Sequence, residues 1–421
     1  MVHGNPPAFL MFLGTIWSYA LFLIRPIFML VSAKFREREQ VVIRQNDWKR
    51  MPSDVLSVCI HASSLGEFEQ ARPIIEGIKK RNPNIDVTVT FFSSSGYRIR
   101  HAYECADRVL YLPIDSSKNA ASFLHRINPD VLLFIRYELW LNYLLEARKQ
   151  AIPVYVINAT FPRSRIWKLF PWLLRSILEL FSGIYAVNSN EKDAFKSLHP
   201  SVIIHDGNDT RIDRIHEQVS AITSNTSMIG ELIPGIENRS MTCIVLGSSW
   251  REDEAVFLSA ISLIDEPLRL IIVPHEPTFE HCTSLNESLP NSILLSECNE
   301  DIGNQHIIVD SIGNLLAIYA IADAAYIGGG FGAGVHSCAE PAGYGIPLAA
   351  GPFISRSPDA GVLHQMGALE IIGNVHDAAR WLKAICTGIM GNAGEASKEY
   401  IQSRRGMTEI ILRDIIGLND Q

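Results

Sequence analysis

The sequence predicts an α/β protein of two parallel-sheet domains behind an apolar N-terminal helix. Three observations carry this. From residue 55 onward, short apolar runs alternate with amphipathic helical patterns, the order of β–α–β units. That alternation lapses near residues 220–240 and then restarts, and 421 residues exceed what one ordinary core organises. Ahead of both arrays, residues 8–24 (AFLMFLGTIWSYALFLI) are almost wholly apolar.

The apolar stretch is interrupted by Arg25-Pro26 and continues as IFMLVSA to residue 33. Its first seventeen residues sit at the lower limit for a membrane span, and the full stretch is longer but carries Arg25. It has no basic segment ahead of it, so a cleaved signal peptide is not expected. Six basic residues follow (Lys34, Arg36, Arg38, Arg44, Lys49, Arg50) against three acidic ones, which by the positive-inside rule places the body of the protein in the cytoplasm. A span and a helix lying in the membrane surface fit equally well; a buried core helix followed by a basic surface helix is the alternative.

The first array has strand-like runs at 55–60, 87–91, 109–112, 131–135, 154–157 and 184–187, with helical patterns such as 67–80 and 142–150 between them. A polar, weakly periodic segment holding Asn225, Thr226, Pro234, Gly235 and Asn238 reads as a linker over 221–240, so the first domain spans 34–220. The second domain, 241–400, has strands at 242–246, 268–273, 306–309 and 324–327. Residues 400–416 are helical in pattern and can cross back onto the first domain. Two Rossmann-like domains would face each other across a cleft at their strand C-termini, where open α/β sheets bind ligands.

Candidate site residues lie on the loops after these strands. The 131–135 run is followed by Arg136-Tyr137-Glu138-Leu139-Trp140, and the first strand by His61-Ala62-Ser63-Ser64-Leu65-Gly66-Glu67. Glu67, at a helix start, can act as a general base if it reaches an acceptor hydroxyl, or can simply complement the helix dipole. In the second domain Gly247-Ser248-Ser249 offers N–H and hydroxyl donors, Pro274-His275-Glu276-Pro277 puts His275 at a strand end, and Asp310-Ser311-Ile312-Gly313-Asn314 precedes a helix. The densest signal is 323–345: an apolar strand breaks into Gly328, Gly329 and Gly330, then Gly332, Gly334 and His336, and then a helix with Glu340 and Pro341 near its start. Such a turn can close backbone N–H groups on phosphate, and Glu340 can accept from ribose hydroxyls, which together indicate a nucleotide-sugar site.

A net charge of −8 argues against a nucleic-acid binder. Seven scattered cysteines without a C-x-x-C pair suit reduced thiols rather than disulfides or zinc. Asp206-Gly207-Asn208-Asp209 fits a turn better than a metal site, and no Walker A, G-x-S-x-G, H-E-x-x-H or D-x-D pair at a strand end is present.

HASSLGE, YELW, the DGNDTRIDR run, GSSW, VPHEP, DSIGNL and GGGF…GVHSCAEPA occur in the order found in the 3-deoxy-D-manno-octulosonic acid (Kdo) transferases, and the chain resembles that family from the apolar helix to about residue 370. The resemblance implies a membrane-associated GT-B glycosyltransferase that moves Kdo from CMP-Kdo to a lipid A precursor at the cytoplasmic face of the inner membrane, without a bound metal or other cofactor. It assigns the base to Glu67, the ribose contact to Glu340, and CMP binding to Ser248, Ser249, His275, Gly313 and Asn314; Glu138 is a second catalytic candidate, and Gly329, Gly330 and His336 of the glycine loop are candidates for the nucleotide. The chain departs from the family pattern at Arg136 (often acidic), Leu141 (often Pro), His275-Glu276 (Arg-His), Asn314 (often Glu) and Ser337 (Asn). A His in place of Arg at 275 would make donor binding more pH-sensitive. A GT-B enzyme for another nucleotide sugar and a non-catalytic membrane-tethered binder are the competing readings; an intact Glu67 beside an intact Glu340 speaks against the latter.

Overall fold

Among the described residues of the computed structural model every strand pairing is parallel, and the strands form two seven-stranded sheets. The structure describes residues 5–45, 55–136, 138–225, 227–236, 241–298 and 302–418. The chain divides into two compact units, residues 1–213 with 405–421, and residues 214–404.

The sheet of the first unit runs β3-β2-β1-β4-β5-β6-β7, from β1 (Ser57–His61), β2 (Asp86–Phe91), β3 (Arg108–Tyr111), β4 (Val131–Ile135), β5 (Val154–Ala159), β6 (Gly183–Ala186) and β7 (Ile204–His205). Alternation along each strand sends side chains to two separate cores. Val58, Ile60, Val131, Leu133 and Ile135 pack on one face, with Phe68, Ile74 and Ile78 of the helix Leu65–Arg81. Cys59, Leu132, Phe134, Val154 and Val156 pack on the other, with Phe123, Leu124 and Tyr143. A strand buried on both faces reads as an unbroken apolar run, which is why these strands are visible in sequence.

The sheet of the second unit runs β10-β11-β9-β8-β12-β13-β14, from β8 (Thr242–Ser249), β9 (Leu268–Pro274), β10 (Ser292–Leu294), β11 (His306–Ile308), β12 (Ala324–Ile327), β13 (Leu348–Ala350) and β14 (Leu369–Ile371). Phe257, Tyr326 and Trp381 centre its core.

The boundary between the units falls at Asp213/Arg214, inside the helix Arg211–Ser224 and earlier than the expected 220. The expected linker is largely helical, since Arg211–Ser224 runs into it and Ser227–Leu232 follows; Thr226 and Asn238 lie outside the described residues. The 400–416 pattern is not one helix. Ala393–Gln402 ends, Gly406 turns the chain with φ +99°, and Met407–Ile411 leads into a π-helical turn over Leu412–Ile416. This last segment belongs to the first unit: Asp213 accepts from the backbone N–H groups of Gly406 and Thr408, and Ile411 and Leu412 enter the core beside Ile74. The 206–209 run is irregular backbone between β7 and the helix Arg211–Ser224. Gly207 passes so close to β6 that a Cβ would sit 2.1 Å from the Ala186 carbonyl oxygen.

The apolar N-terminus forms α1 (Ala8–Val31), followed by α2 (Ala33–Arg44). It is not a core helix: only 11% of its most apolar 18-residue window is buried. Its first turns are nonetheless fixed to the first unit, with Leu10 fully buried and Gly14 against Asn142 and Leu145. The basic segment behind it is less uniform than the sequence suggests. Arg36 donates to the Met29 and Leu30 carbonyls and so caps α1, whereas Arg38 is buried, paired with Glu39 and 4.2 Å from the Phe92 ring centroid. Lys49 and Arg50 lie outside the described residues.

Candidate active site

In the first unit the sheet order reverses between β1 and β4, so their crossovers leave in opposite directions and open a crevice beyond their C-termini. Glu67 follows β1 and Glu138 follows β4. Glu67 stands at the third position of its helix, 4% exposed, and its Oε2 accepts from the Ser64 N–H at 3.1 Å. Burial and then the charge of Glu138 push the carboxyl up to about 7, against the pull of the Ser64 and Ser63 N–H groups and of Arg136. It therefore caps its helix and is also poised to exchange a proton near neutral pH.

Glu138 is held in turn. It accepts from the Trp140 indole N–H at 2.5 Å and from the Ser63 hydroxyl, and burial still raises its pKa. Ser63 Oγ lies 3.0 Å from His61 Nε2, and His61 Nδ1 lies 2.9 Å from Thr90 Oγ1. His61 is fully buried and pushed down to about 3, first by burial and then by the Arg38 charge, so it is neutral. His61 thus joins Thr90 to Ser63, and the Ser63 hydroxyl bonds to Glu138 in turn. Sequence reasoning missed the role of His61 and Ser63, although both stand in the loop it singled out. Arg136 is exposed, with φ +73°, and its N–H donates to the Ile157 carbonyl. Tyr137 lies outside the described residues.

The raised pKa of Glu67 has a sign for stability. The folded form binds a proton more tightly than the unfolded chain, so stability is full below about 4.5 and declines as pH rises through about 7. Glu67→Gln should therefore melt above the native protein at pH 8 and no differently at pH 4, as measured by calorimetry.

The second unit repeats the reversal between β8 and β12. Ser248 stands near the end of β8 in left-handed backbone, φ +52°, and Gly328 and Gly330 after β12 sit where backbones approach closely, whereas Gly332 and Gly334 face open space. A Cβ on Gly328 would meet the Ser248 carbonyl oxygen at 2.2 Å, and one on Gly330 would meet Gly351 backbone at 2.4 Å. Gly329 has φ +91°, and its N–H already donates to Asp253 at 2.8 Å. Asp253, which the sequence reading passed over, is fully buried and also accepts from the Trp250 N–H and the Tyr326 hydroxyl, joining the two loops at the switch point. The expected helix carrying Glu340 is only four residues, Ala339–Ala342.

Three rings from three loops come together above these glycines. Trp250 stacks on His275 at 4.9 Å, His275 on His336 at 4.4 Å, and the Trp250 indole N–H donates to His336 Nε2 at 3.1 Å. Burial and then His275 lower the His336 pKa, so it is a neutral imidazole with its Nδ1–H left as donor. Ser249 does not present its hydroxyl outward: it is buried and donates to Glu254, which also meets His281 at 2.7 Å. Asn314 starts the helix Leu315–Ile318, its amide donates to Ser311, and Gly313 beside it has φ +100°. Glu340 acts electrostatically on Tyr319 and Tyr344, and the Tyr319 hydroxyl lies so near Gly247 that a Cβ there would come within 1.9 Å of it. All seven cysteines are free thiols. Among the described residues no three His, Cys, Asp or Glu side chains gather as a metal-ion set.

Residues 33–214 match the family model described as 3-deoxy-D-manno-octulosonic-acid transferase (kdotransferase). The 3-deoxy-D-manno-octulosonic acid transferase of Rickettsia felis is 28% identical over 329 residues, covering 75% of this chain and 68% of that one. That of Rickettsia bellii is 25% identical over 377 residues, covering 85% and 87%. Among solved structures, UDP-GlcNAc 2-epimerase from Neisseria meningitidis superposes with TM-score 0.60 at 16% identity, covering 86% of this chain and 100% of that one. MurG from Acinetobacter baumannii gives 0.56 at 12%, covering 86% and 99%. These structural likenesses identify the fold, the two-domain α/β GT-B type. That fold, the matched family model and these relatives together support the 3-deoxy-D-manno-octulosonic acid transferase family, and with it a glycosyltransferase.

Proposed function

We propose that the protein transfers Kdo from CMP-Kdo to a lipid A precursor by direct, inverting displacement, with Glu67 as the general base. The observation that carries this is the buried Glu67 carboxyl at the β1/β4 switch point, held near pKa 7 beside Glu138. An acceptor hydroxyl must lose its proton as it attacks, and a carboxylate with that pKa is half available at neutral pH. Glu138, fixed by Trp140 and Ser63, keeps that pKa high and can orient the same hydroxyl. The second unit supplies the donor site: Ser248 and the loops of Gly313, Gly330 and Glu340 for the nucleotide, with the His275–His336–Trp250 stack for its phosphate.

The leaving group is a phosphate monoester, so its departure needs N–H or positive stabilisation and no metal is obligatory. Because His336 is neutral, it would serve as an Nδ1–H donor and not as a cation. His336→Phe, which keeps the ring stack and removes the donor, is expected to weaken CMP binding by roughly 10-fold, the effect of about 1.5 kcal/mol for a hydrogen bond to a charged group. Cytidine binding, without the phosphate, is expected to change little; calorimetric titration of both ligands checks this.

The same reading places the protein at the cytoplasmic face of the inner membrane. Residues 15–31 of α1, beyond the turns fixed by Leu10 and Gly14, cover about 25 Å at 1.5 Å per residue, short of the ~30 Å hydrocarbon core, which favours a helix lying in the membrane surface. The exposed Lys34, Arg36 and Arg44 suit anionic lipid headgroups. A transfer assay at a series of pH values tests the mechanism: kcat should climb as pH rises through about 7 and level off above it. A rate that is flat across that range would remove Glu67 as the base.

A further inference from the structure

A cavity of about 600 Å³ opens in the first unit between α1, the loop after β4, and the helices Arg165–Leu169 and Pro171–Leu178. Ile16, Trp17 and Leu21 of α1 form one wall, and Leu139, Trp167 and Leu173 another. The volume suits a small ligand, and the walls are almost entirely apolar. Its only charged lining residues are two carboxylic acids, Asp115 and Glu138; among the described residues no Lys, Arg or His lines it. Burial raises the pKa of both, and that of Asp115 reaches about 7.

These features choose between apolar occupants. A free fatty acid would bring its carboxylate against Glu138 with no cation to offset it. A chain joined through an ester or amide brings no charge, and its linkage can accept from a protonated carboxyl or from an indole N–H. The route in is also apolar. Among its lining residues, Ile16 and Trp17 on α1 are 49% and 47% exposed and Ile166 on the opposite wall is 54% exposed, so apolar surface borders the cavity on both sides. A chain could pass from a bilayer into the cavity without crossing water.

We propose that this cavity binds one acyl chain carried on an uncharged ester or amide linkage, the tail of a membrane lipid, and seats the acceptor by that tail beside Glu138. The assignment to the acceptor rests on the proposed function; the binding of a lipid tail does not. Loss of the α1 wall would then loosen the acceptor's position as well as the membrane contact.

The test uses the full chain in nanodiscs that contain a phosphatidylethanolamine with a diazirine at the end of one ester-linked chain. After irradiation, cross-linked residues are located by peptide mass spectrometry, and no transfer activity is needed. Labelling is expected at Leu173 or its neighbours through Ile177 as well as on exposed α1 residues. The cavity labelling should be lost in Leu173→Trp, and independently in Ala20→Phe, while labelling of Leu23 and Leu30 persists; thermal melting reports whether each variant is folded. Labelling confined to exposed α1 residues in the native protein, or cavity labelling unchanged in both folded variants, would overturn the proposal. Cavity labelling in a protein that transfers no Kdo would uphold the lipid site and count against the proposed function instead.

Discussion

Glu67→Gln is expected to lower kcat by about 10²–10⁴, the usual contribution of a general base, while CMP binding and folding survive. The amide keeps the size of the side chain and can still accept from the Ser64 N–H, so the helix start is kept and only proton transfer is removed. Two controls sharpen the result. Glu138→Gln removes the neighbouring charge that raises Glu67, so the pH midpoint of the rate should shift to lower pH while activity persists. Ser63→Ala breaks the link from His61 to Glu138 and should move the same midpoint by a smaller amount. A merely structural role for these residues would change melting temperature without moving the pH profile.

The second large effect is expected at Asp253. Its carboxylate takes the Trp250 N–H at 2.9 Å, the Gly329 N–H at 2.8 Å and the Tyr326 hydroxyl at 2.5 Å, the last two fully buried. Asp253→Ala leaves these donors without an acceptor, each at about 1–3 kcal/mol. It also releases the glycine loop from the loop after β8. Melting temperature should fall clearly, and CMP affinity should drop at least ~10-fold, because each 1.4 kcal/mol of lost loop ordering is a factor of ten. Asp253→Asn keeps the shape but turns an N–H toward one of the donors, so it should lie between the two. Calorimetric melting with CMP titration separates the stability loss from the binding loss.

The fold was largely legible because strands buried on both faces give continuous apolar runs. Val131–Ile135 and Ala324–Ile327 were readable to the residue. Ile204–His205, Ser292–Leu294, Leu348–Ala350 and Leu369–Ile371 were not, because two or three residues carry no periodicity and become strands only by pairing with neighbours already in place. Glu67 and Glu138 stood out as acids just beyond apolar strands. The relay through His61 did not, since it depends on side-chain geometry that spacing does not encode. Asp253 left one trace, an acid at the third position of the helix after β8, where capping acids are common. The glycine run suggested a phosphate cradle; that Gly328 and Gly330 are also needed where two backbones touch was not legible, since it is a pairing between segments distant in sequence. Arg38 looked like one of a row of membrane-facing cations and is instead folded under Phe92, where its charge helps hold His61 neutral.

Kdo transfer by this chain with Glu67 as base is the proposal that one assay tests outright. The most direct measurement is a transfer assay with the full-length protein, a lipid A precursor and CMP-Kdo generated in situ, run beside Glu67→Gln. The account predicts Kdo-bearing lipid from the native protein and a loss of about 10²–10⁴ in the variant with CMP affinity unchanged. A folded native protein that binds CMP and yields no product, or a variant as active as the native protein, would contradict it.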